Sequence, residues 1–138
     1  MSTMRTDEIV RLAAWPIGLL SAPAKGPVGL TMPKVVGCKP IHQLCDPKSR
    51  RTNFPAADWR FLVKTAANLA RAFAAVHETE TVIGDVNQDS VLVAQDAQVR
   101  LIDCDSFQVT AGPKRYLCEV GVPTFTPPEL QGLRFAGQ

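Results

Sequence analysis

The sequence has no C-x-x-C pair, no long apolar run, no excess of either charge and no internal repeat, and each absence narrows what the chain does. Fifteen basic and thirteen acidic residues are interspersed and leave a formal charge of +2. That balance lacks the single-sign field that a nucleic-acid or anionic-membrane partner requires, so neither is expected. The longest nearly uncharged stretch, Leu12 to Ala24, is broken by Pro16, Gly18 and Pro23. It falls well short of the roughly 20 apolar residues a membrane span needs. Arg5, Asp7, Glu8 and Arg11 spoil the basic-then-apolar layout of a secretory signal, and a cytoplasmic location is expected. The four cysteines, Cys38, Cys45, Cys104 and Cys118, are read as reduced thiols. Cys38-x3-His42-x2-Cys45 offers soft ligands for zinc but no evident fourth partner, which favours ordinary packing.

What is present suits one small α+β domain: 138 residues, 46% of them hydrophobic. The clearest periodic segment is Asp58 to His77, where Leu62, Ala66, Leu69, Phe73 and Val76 recur at three- and four-residue intervals and predict an amphipathic helix. Asp58 is a side-chain acceptor where a helix start favours one. Val91 to Val93 and Val99 to Ile102, joined by a polar turn around Gln95 to Gln98, predict a hairpin. Ala14 to Leu20 and Val28 to Val36 predict a second, across the Pro- and Gly-bearing stretch Ser21 to Pro27. Past Phe107, the density of Gly112, Pro113, Gly121, Pro123, Pro127 and Pro128 excludes long regular elements and implies a loop held by tertiary contacts.

Carboxylates concentrate in two runs, Ile83 to Val93 (I-G-D-V-N-Q-D-S-V-L-V) and Leu101 to Phe107 (L-I-D-C-D-S-F). One run precedes the first hairpin strand and the other follows the returning strand, so Asp85 and Asp103 are expected to share a site. Two converging acids raise each other's pKa unless a cation lies between them, which makes a magnesium site chemically sensible. Aspartates that merely cap turns on a hydrated hairpin end remain the plain alternative.

The order and spacing of these runs resemble the protein-kinase fold from about Trp15 to Glu129. In that family the catalytic loop H-R-D-x-x-x-x-N sets its Asp five positions before a magnesium-binding Asn, and the D-F-G Asp follows a hairpin. Here Ser90 lies five positions after Asp85, and Asp103 thirteen after Ser90. Upstream, Ala75-Val76-His77 is similar to the Leu-His end of the helix feeding that loop; downstream, Pro127-Pro128-Glu129 is similar to A-P-E. The resemblance implies a partial kinase-like domain over 1–138, with a hinge-side strand pair over 14–36 and the start of the C-lobe over 55–138. It implies Asp85 as the catalytic base and Asp103 as the aspartate that chelates magnesium on the nucleotide phosphates. Met32 takes the gatekeeper place, Pro33 and Val35 present backbone to the adenine, and Leu92 floors that pocket. Asn87 stands where many protein kinases place a phosphate-contacting lysine, and Ser90 replaces the metal-binding Asn as a weaker ligand.

Other departures are as informative. Ile83 and Gly84 replace His and Arg of H-R-D, which argues against control by loop phosphorylation. Cys104 and Asp105 replace Phe and Gly of D-F-G. The G-D-V-N and D-C-D-S-F signatures are similar to a divergent bacterial branch. No G-x-G-x-x-G loop and no V-A-I-K lysine precede Trp15, and Glu8 is the sole glutamate in the short stretch that could supply their partner helix. The chain is expected to be a fragment or a piece that requires a partner. The implied function is a protein Ser/Thr phosphotransferase module using Mg-ATP in a longer parent; the alternatives are a non-catalytic pseudokinase scaffold and a small-molecule kinase of the aminoglycoside or choline type.

Overall fold

The computed structural model describes residues 7–132. The outermost parts of the expected 1–138 and 55–138 spans therefore lie outside the described residues. The body is built on α4 (Trp59–His77), which starts where Asp58 accepts the Phe61 N–H at 2.8 Å. Its most buried positions are Thr65, Ala72, Ala75 and Val76, while Leu62, Leu69 and Phe73 flank them, half-buried, and Ala66 is exposed. The expected helix is present. Its inward face is turned toward the small residues, because Ala72 and Ala75 let neighbouring backbone approach where larger side chains could not.

Against this face lie α1 (Asp7–Leu12) and β5 (Val99–Leu101), with β5 paired to β4 (Val91–Ala94) and β4 to β3 (Cys38–Pro40) in an antiparallel sheet of order β3-β4-β5. Burial alternates along both hairpin strands, putting Val91, Val93, Val99 and Leu101 inside. The turn joining them places Ala97 in the left-handed region at φ 68°, and its carbonyl accepts the Asn68 side-chain amide at 2.8 Å, fastening the hairpin tip to α4. The main core joins Ile9, Trp15, Val76, Val91, Leu101 and Phe107; Trp15 is fully buried, edge-to-face with Phe107 at 6.1 Å between ring centres. A smaller cluster gathers Leu44, Phe54 and Val93 beneath two short helices, α2 (Ile41–Cys45) and α3 (Pro47–Asn53). Asp46 caps α3 through the Ser49 N–H at 2.6 Å, with Pro47 in the first turn.

The second expected hairpin exists with tighter bounds, β1 (Gly18–Ala22) and β2 (Gly26–Thr31). Trp15 is not part of it. Ala13 to Pro16 are pressed into the core instead, with Ala14 N–H donating to the Leu101 carbonyl at 2.8 Å. Burying an indole gains more than extending an exposed strand would. Met32 to Val36 likewise follow β2 as irregular chain. Among the described residues, the segment past Phe107 holds only a short β6–β7 pair (Val109–Ala111 and Lys114–Tyr116) and two single 3₁₀ turns, as its proline and glycine density implies.

Candidate functional site

Two backbone ties bring the carboxylate runs together. At the open end of the β4–β5 hairpin, Ile102 N–H donates to the Ser90 carbonyl at 2.9 Å, so the residue before Asp103 is fixed to the loop that carries Asp85. One turn earlier, Val82 and Gln108 exchange two hydrogen bonds at 3.0 and 2.8 Å, holding the entry of the first run against the exit of the second. Gly84 sits between these ties. A Cβ at this position would run into the Ser106 carbonyl oxygen and meet Cys118 Sγ at 2.6 Å, so only glycine allows the two runs to lie this close.

The two acids share a backbone peculiarity. Asp85 lies at φ 48° and Asp103 at φ 60°, in the left-handed region that non-glycine residues seldom enter. Neither occupies a hairpin tip; Asp103 leads a 3₁₀ turn over Cys104–Ser106. Such conformations cost of order 1–3 kcal/mol each and persist where surrounding structure over-determines them, often at functional sites. Burial pushes the Asp103 carboxyl above its ordinary pKa, and Asp105, Asp85 and Asp89 push it in the same direction. The charge of Asp85 therefore reaches the Asp103 carboxyl, with less effect than burial and Asp105. One oxygen of Asp85, Oδ1, is buried without a hydrogen-bond partner among the described residues. A buried, unpartnered carboxylate oxygen is costly unless a further group meets it.

Around Asp85 the loop is laced together. The Asn87 side-chain amide donates to the Asp85 carbonyl at 3.0 Å, and its oxygen accepts the Asp89 and Ser90 N–H groups at 2.8 and 3.1 Å. The buried Ser90 hydroxyl donates to the Asn87 carbonyl at 2.9 Å and accepts the Asn87 N–H at 3.0 Å. His42 of α2 sets its Nδ1 3.0 Å from Asp89 Oδ1, off the line of a good hydrogen bond, so contact is electrostatic when the ring is protonated.

A cavity of about 220 Å³ opens beside Asp85, walled by Ile83, Cys118, Val122, Phe125 and Thr126. A larger apolar groove of about 650 Å³ runs along α4 past Leu69 and Phe73 to Ile41, Val86 and Phe125. On the expected adenine side, Met32 is exposed just beyond β2, Pro33 and Val35 are half-buried in irregular chain, and Leu92 lies on the face of β4 opposite Val91 and Val93. None of these four lines either cavity. Among the described residues no group of three or more His, Cys, Asp or Glu side chains is placed to hold a metal ion, neither Cys38-His42-Cys45 nor the acids around Asp85 and Asp103.

Sequence reasoning singled out Asp85 and Asp103 but passed over Asp89 and Asp105, the other acids that act on Asp103. The signal was present in the runs themselves, since both lie within two or four residues of a chosen acid. Gly84 was read only as a lost arginine; its packing role depends on Ser106 and Cys118, whose approach no local pattern discloses.

No family model and no solved structure matches the chain. Over 134 residues, 96% of the chain, it is 47% identical to proteins named protein kinase YegI from Escherichia coli K12 and from Escherichia coli O157:H7. The match spans 21% of the length of each, so the chain corresponds to about a fifth of these curated relatives and its relationship is to proteins named as kinases.

Proposed function

We propose that the chain is the catalytic-loop portion of a protein-kinase-type phosphotransferase, working with ATP and magnesium on a protein Ser/Thr hydroxyl within a longer protein. The observation that carries this reading is the pair Asp85 and Asp103, each in a left-handed conformation, on two runs tied together at the mouth of one hairpin, with the charge of Asp85 among those that raise the Asp103 pKa. Asp85 and Asp103 are carboxylates, the hard oxygen ligands magnesium takes; with no third acidic, His or Cys side chain grouped beside them among the described residues, phosphate and water oxygens would complete the shell of the ion. The buried Asp85 Oδ1 without a partner fits an acceptor hydroxyl at the same place.

In this reading Asp103 holds the cation and Asp85 orients the acceptor hydroxyl and takes its proton. Magnesium and ATP, when bound, supply charge neutralisation and the phosphoryl group. Met32, Pro33, Val35 and Leu92 are proposed for the adenine side. The open cavity beside Asp85, walled in part by Val122 and Phe125, is the place proposed for the acceptor side chain. The setting proposed is cytoplasmic, where the four free thiols stay reduced. Among the described residues no helix is long and apolar enough to cross a membrane.

The test is a thermal-shift titration of the longer protein with ATP, with and without magnesium. Magnesium-dependent stabilisation that Asp103→Asn abolishes is the expected result. A flat titration of the intact protein overturns the nucleotide reading and leaves a non-catalytic scaffold.

A further inference from the structure

Asn87 and Ser90 use their side chains on each other and on Asp85. Five hydrogen bonds between 2.8 and 3.1 Å join the Asn87 amide and the Ser90 hydroxyl to the loop backbone. Asn87 Nδ2 holds the Asp85 carbonyl, Asn87 Oδ1 gathers two N–H groups, and the Ser90 hydroxyl closes on both backbone groups of Asn87. From Ser90 the connection continues, because its carbonyl receives the Ile102 N–H, one residue from Asp103. A single chain of hydrogen bonds therefore runs from the backbone of one acid to the neighbour of the other. The acid at one end, Asp85, and the acid next to the other end, Asp103, are both held at positive φ, a costly conformation that persists where surrounding structure over-determines it.

We infer that Asn87 and Ser90 are positioning residues, a clamp that fixes Asp85 and Asp103 relative to one another and touches neither phosphate nor metal. The inventory of groups supports this. The Ser90 proton is given to Asn87, one of its lone pairs takes the Asn87 N–H, and the side chain is buried; both Asn87 functional groups face inward along the loop. The site then offers carboxylates alone to a cation. This inference rests on the reading of Asp85 and Asp103 as the working acids.

The experiment pairs binding with hydrogen exchange. For this chain within its longer protein, affinity for magnesium with a non-hydrolysable ATP analogue is measured for Asn87→Ala, Ser90→Ala and the double variant. Each single change is expected to weaken binding by about tenfold, and the double no more than either alone, since both break one network. The loss is expected to stay constant across a magnesium titration, and Ser90→Thr, which keeps the hydroxyl, to restore affinity. A Ser90→Ala defect that excess magnesium repairs, or additive losses, overturns the clamp in favour of a direct ligand. Amide exchange at Asp89, Ser90 and Ile102 is read on the same proteins without nucleotide, with α4 amides as the control for folding. Accelerated exchange at all three sites in either alanine variant supports the clamp; unchanged exchange contradicts it. Asn87→Asp keeps the acceptor and loses the donor, and is expected to fall between. Should the unaltered protein bind no nucleotide, the functional reading falls, while the exchange data still decide the clamp.

Discussion

Two hairpins of this chain, β4–β5 and β1–β2, are written in similar residues and end in opposite environments. In β4–β5 the inward side chains Val91, Val93, Val99 and Leu101 are at most 4% exposed, whereas in β1–β2 Leu19 is 65%, Leu20 53% and Val28 58% exposed. Both ribbons are antiparallel, and Leu19 faces Leu30 as Val91 faces Leu101, but the register of β1–β2 shifts between Leu20 and Ser21 while that of β4–β5 is unbroken. What separates them is what lies beneath. α4 and α1 pack on the first hairpin, while the strands of the second contact mainly each other. A two-stranded ribbon without a covering layer is marginal in water, so β1–β2 draws its order from the chain ends that anchor it. The acids sit at the mouth of the supported hairpin, where a rigid scaffold can sustain two strained residues.

Replacing the anchor of the supported region should have the largest effect. Trp15→Ala is expected to cost about 3–5 kcal/mol, because a fully buried indole packed on Phe107 leaves a cavity that the sheet cannot fill, and denaturant unfolding measures it. Survival of cooperative unfolding with a change below 1 kcal/mol would place Trp15 outside the core. Next comes Gly84→Ala, for which we expect roughly 1–3 kcal/mol of destabilisation, since the added methyl meets the Ser106 backbone carbonyl as well as the Cys118 side chain, and the backbone cannot swing aside. Loss of exchange protection at Val82 and Gln108, with α4 still protected, would locate that damage between the two carboxylate runs.

How much of this was legible in the sequence follows from the range of each signal. The 3.6-residue period of α4, its Asp58 cap and the alternation of β4 and β5 are local, and each reads correctly from a few residues. The convergence of Asp85 and Asp103 follows from hairpin geometry once those strands are placed. The short helices α2 and α3 were missed because five and seven residues carry little periodicity and are stabilised by Asp46 and by packing under Leu44 and Phe54. Trp15 was read as a strand residue because its destination in the core depends on Leu101 and Phe107, far along the chain. The Asn87–Ser90 lacing was within reach, since Asn and Ser three apart commonly bond their own loop backbone, but the family pattern drew both toward ligand roles.

Smaller effects should follow from charge. Asp103 has a folded-state pKa above its unfolded value, chiefly through burial, so the folded chain holds that proton more tightly. Its contribution to stability is complete below the ordinary carboxylate range and is lost as pH rises through the raised value. Asp103→Asn should therefore raise the melting temperature slightly at neutral pH and flatten its decline across that window; a steeper decline would contradict the assignment. Smallest of all, Leu19→Thr on the unsupported ribbon should change stability by no more than ~0.5 kcal/mol, against the several expected at Trp15. A large loss there would mean that the ribbon is packed in solution and would erase the contrast between the two hairpins.

The convergence of the two acids is tested most directly by adding manganese with ATP to the isotopically labelled protein and reading paramagnetic broadening along the backbone. The account predicts simultaneous loss of signal at residues 85–90 and 102–105, with β1–β2 tip amides near Lys25 spared. Broadening at only one of the two runs, or at neither, would contradict it.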